Sequence, residues 1–189
     1  MATDADVLHA LLHAQGRSIA ELADELGMTR QHAHRLLSGR RRAEAREADL
    51  DRALALGPRA PNGEPAYALA TLSDGTLELV PAGDTVPLFA TRELAAAVAA
   101  PLHEAHGELH VVPVWPAHAW RHLVAFHAAW GVEPEPRNVF LVDDRDPDLP
   151  VTALLDELRA GFLETLRLRT FADDPALRAE VERAVDRLH

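Results

Sequence analysis

The residues from Ser18 to Arg42, SIAELADELGMTRQHAHRLLSGRRR, leave this chain little conformational choice. Ile19, Leu22, Ala23 and Leu26 recur at the spacing of one buried helical face. Ser18 stands where it can cap that helix, and Glu21 three residues on completes a capping box. Gly27 then falls where the turn needs a left-handed backbone, which glycine adopts without steric cost. Thr29 is a good cap for a second helix to about Leu37, with Ala33 and Leu36 inward, and Ser38 and Gly39 end it. Ala23 matters because helices crossing near a right angle cannot close around a bulky side chain. The spacing predicts two short helices joined by a tight turn.

The flanks extend the same pattern. Val7, Leu8, Leu11 and Leu12 form one apolar stripe, which predicts a helix from about Asp4 or Asp6 to His13, stopped by Gly16. A further helix is expected from about Glu44 to Leu56, with Leu50, Ala53, Leu54 and Leu56 as its apolar side and Gly57 as its stop. A net charge of -11 argues against affinity for phosphates until its distribution is seen. Residues 1–57 hold 8 Arg and 9 Asp+Glu, whereas residues 58–189 hold 11 Arg and 21 Asp+Glu. Between Gly27 and Ala43 stand Arg30, Arg35, Arg40, Arg41 and Arg42, with no acid. The basic patch is local and the acidity lies elsewhere.

Leu22, Ala23, Leu26, Gly27, Met28, Ala33, Leu36 and Gly39, with a helix before them and DLDRALALG after, resemble the Cro/C1 (Xre-type) helix-turn-helix of transcriptional regulators. The resemblance covers the first third of the chain. It implies that Thr29, Arg30, Gln31, His32 and Arg35 occupy the exposed face of a recognition helix. Arginine can bond guanine bidentately and glutamine can do the same to adenine, so these side chains suit base readout. Arg40, Arg41 and Arg42 follow the helix and suit phosphate neutralisation, which positions a protein without reading sequence. One departure is Ile19, where many family members carry a glutamine that touches the DNA backbone.

Residues 58–65, PRAPNGEP, cannot continue a helix and read as a linker. Beyond them the period changes. Tyr67, Leu69 and Thr71 alternate as a strand, Ser73-Asp74-Gly75 is a turn, Leu77 and Leu79 alternate again, and Val86–Ala90 is a third strand. Thr91 caps an alanine-rich helix with Pro101 near its end or at a kink. Leu109–Trp115 and Asn138–Val142 read as buried strands on either side of a helix over Ala117–Trp130. Helices over Thr152–Leu166 and Pro175–Leu188 follow, the last capped by Asp174. TVPLFATRELAAAV is similar to a strand-to-helix segment of SseB-like domains, over a stretch too short to imply a function. The expected fold class is an all-α helix-turn-helix domain (1–57) followed, after the linker, by an α+β domain (66–189) with a roughly five-stranded sheet.

Chemistry beyond this is sparse. There is no cysteine, hence no disulfide and no thiolate ligand or nucleophile. There is no lysine, which excludes a Schiff base and the Ser-Lys self-cleavage of LexA- and lambda-type repressors. His118 and His122 lie four apart on one expected helix, and His103, His106 and His110 cluster before a strand. None of these falls at a diagnostic zinc spacing. Asp143, Asp144, Asp146 and Asp148 begin like a calcium loop, yet the sixth position is Leu149 and the twelfth Leu155. No phosphate loop or serine elbow occurs. No catalytic residue, metal site or cofactor is therefore expected, and no enzyme.

No apolar run reaches the ~18 residues of a membrane span, and MATDADVLHA lacks the positive start of a signal peptide. A cytoplasmic protein without membrane contact is expected. Its expected partners are double-stranded DNA, a second copy of itself, and a protein or small-molecule effector at the second domain. The competing expectation is an antitoxin-like or regulatory interaction module whose acidic second domain binds a partner protein.

Overall fold

A computed structural model describes residues 3–38, 47–60, 63–106, 109–129, 133–145 and 151–173. Four helices come first: α1 (Asp4–Ala14), α2 (Ile19–Glu25), α3 (Arg30–Leu37) and α4 (Glu47–Leu54). The first three starts follow from side chains that accept the free N–H groups of the opening turn. Thr3 and Asp6 form a reciprocal box on α1, and Ser18 and Glu21 form the same box on α2. The Thr29 hydroxyl accepts the His32 N–H at 3.3 Å on α3.

The remaining chain gives β1 (Ala66–Ser73), β2 (Thr76–Leu79), β3 (Val86–Phe89), α5 (Arg92–His106), β4 (His110–Val114), α6 (Pro116–Ala129), β5 (Val139–Val142) and α7 (Val151–Asp173). A single 3-10 turn, Pro136–Asn138, leads into β5. The fold is α+β, with seven helices among the described residues and a mixed five-stranded sheet. β1 is central. β4 runs antiparallel along one edge, from Ala66↔Val114 to Ala70↔His110. The other edge takes β2 antiparallel over its second half and β3 antiparallel at Tyr67↔Phe89. β5 pairs parallel with β3 and ends the sheet.

Alternation along β1 sends its residues to two different cores. Ala66, Ala68 and Ala70 face the layer formed by α1, α4 and α6, and join Leu11, Leu12, Leu54, Ala119 and Leu123 in one apolar cluster. Leu69, with Phe89 and Val142, faces α5 and α7, where Val98, Leu102 and Phe162 fill the second cluster. The small side chains on the first face let helices lie close to the sheet. Leu22 of α2 and Leu37 of α3 belong to that same cluster, so the first four helices and the sheet bury apolar surface together.

Several expectations change here. The fourth helix stops at Leu54. Leu56, expected on its apolar side, instead donates its N–H to the Pro113 carbonyl at 3.0 Å and accepts from the Trp115 N–H at 2.9 Å, as a short bridge on the edge of β4. Pro101 neither ends nor interrupts α5, which runs on to His106. Proline lacks the N–H that would bond the carbonyl four residues back. That carbonyl, Ala97, accepts from the Arg159 guanidinium of α7 at 3.1 Å instead. Asn138–Val142 was expected to be buried, yet Leu141 is 56% exposed because β5 is the end strand. The expected helix over Pro175–Leu188 lies outside the described residues, as do Gly39, Glu44, Trp130 and Gly131.

Candidate nucleic-acid interface

α2 and α3 are joined by a tight turn closed by backbone hydrogen bonds. Gly27 has φ +61, the left-handed conformation that a side chain would strain. Its N–H donates to the Asp24 carbonyl at 3.2 Å, and the Met28 N–H donates to the Ala23 carbonyl at 2.9 Å. These two bonds make a Schellman ending, which closes α2 and sets the direction in which α3 starts. Leu22, Ala23, Ala33, Leu36 and Leu37 are buried between the helices and the rest of the core. Ala23 and Ala33 keep the crossing short.

With that side buried, α3 turns Arg30, Gln31, His34 and Arg35 outward, all exposed. Arg30 and His34 are four apart, as are Gln31 and Arg35, so the four side chains form one continuous surface. No acid lies on α3, and neither Arg30 nor Arg35 has an ion-pair partner among the described residues. Thr29 is exposed at the start, with its hydroxyl engaged in the cap. His32, expected on the exposed face, is half-buried on its flank. His34 was missed, although counting three from Gln31 and four from Arg30 places it on this surface. Arg40, Arg41 and Arg42 lie outside the described residues.

The other candidate groups are dispersed. His118 sits half-buried near the start of α6, and burial, then His122 and Arg121, hold its imidazole below the usual histidine value. Gly57, with φ +96, presses on it: a Cβ there would come within 2.5 Å of the His118 Cβ. His127 is buried with Nε2 at 2.9 Å from the Asp84 carbonyl, while His103 is exposed. Among the described residues no group of three or more His, Cys, Asp or Glu is arranged to hold a metal ion. Asp143 accepts the Arg145 guanidinium at 2.7 and 2.8 Å and its backbone N–H at 3.0 Å. These bonds hold the Asp143 carboxyl down at about 2. Asp144 is exposed beside it, and Asp146 and Asp148 lie outside the described residues.

A second polar cluster escaped sequence reading. Asp51 of α4 is only 4% exposed. Its carboxylate accepts the Tyr67 hydroxyl at 2.8 Å and the Arg92 guanidinium at 2.5 Å. Burial first, then the Asp51 hydrogen bond, pushes the Tyr67 hydroxyl far above the usual phenol range, so it remains a donor. The available signal was an acid one turn before Leu54, on the side of α4 that faces the core. Among the described residues no helix is long and apolar enough to cross a membrane. No protein-family model matches the chain, and no curated protein or solved structure matches it either.

Proposed function

We propose that the chain is a sequence-specific DNA-binding regulator of transcription acting as a repressor, with α2 and α3 as its helix-turn-helix. The observation that carries this reading is the outward face of α3. Arg30, Gln31, His34 and Arg35 stand exposed together without an acid on the helix, in a protein whose net charge is -11. A positive surface kept in an acidic chain suits one localised polyanionic partner. In this reading Arg30, Gln31 and Arg35 reach base edges in the major groove, and Thr29 and His32 sit at the margins of the contact. Arg40, Arg41 and Arg42 neutralise phosphates. Two copies reading half-sites about 34 Å apart would give the operator two-fold symmetry. The cytoplasm is the compartment this function requires, and no catalytic step or cofactor enters it.

The test is binding to duplex DNA from the region upstream of the coding sequence, followed by fluorescence anisotropy at rising salt. Affinity should fall steeply as counterions compete. Arg30→Ala and Gln31→Ala should weaken binding to that site more than to random duplex. Equal loss on both DNAs, or none, would sink the assignment of α3. One observation favours a second reading, in which an acidic C-terminal part binds a basic partner protein as antitoxins do. Residues 58–189 carry 11 Arg and 21 Asp+Glu, a charge of -10. Recovery of one stoichiometric protein partner, with DNA binding intact but secondary, would support it.

A further inference from the structure

The sequence places a Pro-rich linker between the first four helices and the sheet, which would let the helices swing. The contacts across that junction are of another kind. We infer that Asp51, Tyr67 and Arg92 are positioning residues that lock the α2–α3 pair in one orientation on the sheet, so that whatever binds α5, α7 or the sheet acts on α3 as on a rigid body.

The cluster joins four elements around one buried carboxylate. Asp51 comes from α4, Tyr67 from β1 and Arg92 from the first turn of α5. The Arg92 guanidinium carbon lies 5.2 Å from the centre of the Tyr67 ring, a cation-π geometry. It also reaches Glu47 of α4 at 3.5 Å and donates to the Val111 carbonyl of β4 at 3.4 Å. The two short bonds to Asp51 are directional. An apolar contact tolerates sliding, whereas a carboxylate held from two sides by a phenol and a guanidinium accepts one arrangement. Buried ionic groups are poor stabilisers compared with well-packed hydrophobics, so their use at a joint points to orientation.

The path from α4 to α2 is also held by hydrogen bonds. The Gln15 side-chain amide donates to the Ala55 carbonyl at 3.0 Å, and the Arg17 guanidinium to the Ala53 carbonyl at 2.9 Å. Arg17 also pairs with Glu25 at the end of α2 at 2.5 Å. The chain leaving α4 is held in turn. Leu56 is bonded into the β4 edge, Arg59 pairs with Glu25 at 3.4 Å, and Arg52 pairs with Glu64. The expected linker is thus pinned at its near and far ends. This inference stands on the joint alone and does not require that α3 binds DNA.

The chain has no cysteine, so two introduced cysteines can carry spin labels on the full-length protein without background. Asp24→Cys on α2 and Glu157→Cys on α7 are both exposed positions. Pulsed electron-electron double resonance should give one narrow distance distribution. In the apolar variant Asp51→Leu with Arg92→Met, melting should remain cooperative while the distribution becomes roughly twice as wide. If that variant fails to fold, Tyr67→Phe removes one hydrogen bond and keeps the ring, and should broaden the distribution by a smaller amount. A broad or bimodal distribution in the parent overturns the inference. So does a folded variant whose distribution matches the parent's.

Discussion

Arginine serves opposite purposes in two regions of this molecule. On α3, Arg30 and Arg35 are exposed and have no acid to pair with among the described residues. At the joint, Arg92 is only 32% exposed in its side chain, its terminal nitrogens donate to Asp51 and the Val111 carbonyl, and its Nε lies 3.5 Å from Glu47 as an ion pair. A guanidinium engaged within the chain contributes to the fold and has little left for a ligand. One left in water keeps its full donor set for an outside partner. The same contrast separates Asp51, enclosed by partners, from the acids dispersed over the surface of the second half.

The contrast makes graded predictions. Leu37→Ala should have the largest effect, because Leu37 is fully buried in the cluster shared by the helices and the sheet. Truncating it should cost about 2–5 kcal/mol in denaturant unfolding. The helical and sheet regions should lose structure in one transition. Two separate transitions would mean that the cluster is not a common core.

Asp51→Ala comes next. It leaves the Tyr67 hydroxyl and one arm of Arg92 without their acceptor, at a cost of about 3 kcal/mol, the low end of the range because Arg92 keeps some access to water. Adding Arg92→Met should restore part of the lost stability. A double variant as unstable as the sum of the two single ones would show that the two groups do not act together.

Arg35→Ala and His34→Ala should do the reverse. Both residues are exposed on α3, so melting should change by no more than about 0.5 kcal/mol. Loss of Arg35 should cost about 1–3 kcal/mol in binding to the preferred site, with little change on random DNA. His34→Ala should have the smaller effect on binding. If either variant melts early, its side chain belongs to the fold.

The smallest effect expected is the response of Asp143 to acid. Arg145, through its side chain first and its backbone N–H second, holds the folded carboxyl at about 2, below the ordinary 3.8. A depressed carboxyl contributes stability that is complete above the unfolded value and lost as pH falls through the folded one. The loop after β5 should therefore keep its ion pair until the pH nears 2, while the stability that the pair contributes fades as the pH falls from 3.8 toward 2. Carbon chemical shifts of Asp143 report the titration directly, and Arg145→Gln should move it back toward 3.8.

The parts that were legible in the sequence share one property: they are local. Ser18 with Glu21, Thr29, Gly27 and the Asp74-Gly75 hairpin act on neighbours within a few residues, so their spacing identifies them. The alternating residues of β1 and the helical stripe of α2 are legible for the same reason. What was missed depends on distant partners. Pro101 reads as lying near a helix end or at a kink because the donor that replaces its N–H is Arg159, on another helix. Leu56 reads as helical because the strand edge it joins is supplied by Pro113 and Trp115. Leu141 reads as buried because an edge strand has the same apolar composition as a central one. Asp51 passes unnoticed among the acids of α4 until Tyr67 and Arg92 are brought to it. On α3, His34 shares the exposed face with Arg30, Gln31 and Arg35 while His32 turns to its flank, a difference that appears only when the helical period is carried through the second turn.

The most direct test of the central proposal is selection of preferred sites from a random-sequence duplex pool by the full-length protein. The chain should enrich one sequence with two half-sites about 10 base pairs apart, centre to centre. Guanine preferences within each half-site should disappear in the Arg30→Ala/Arg35→Ala variant while residual binding to bulk DNA persists. A pool that gains no sequence preference, or the same preference selected by the variant, would contradict the assignment of α3 as the element that reads DNA.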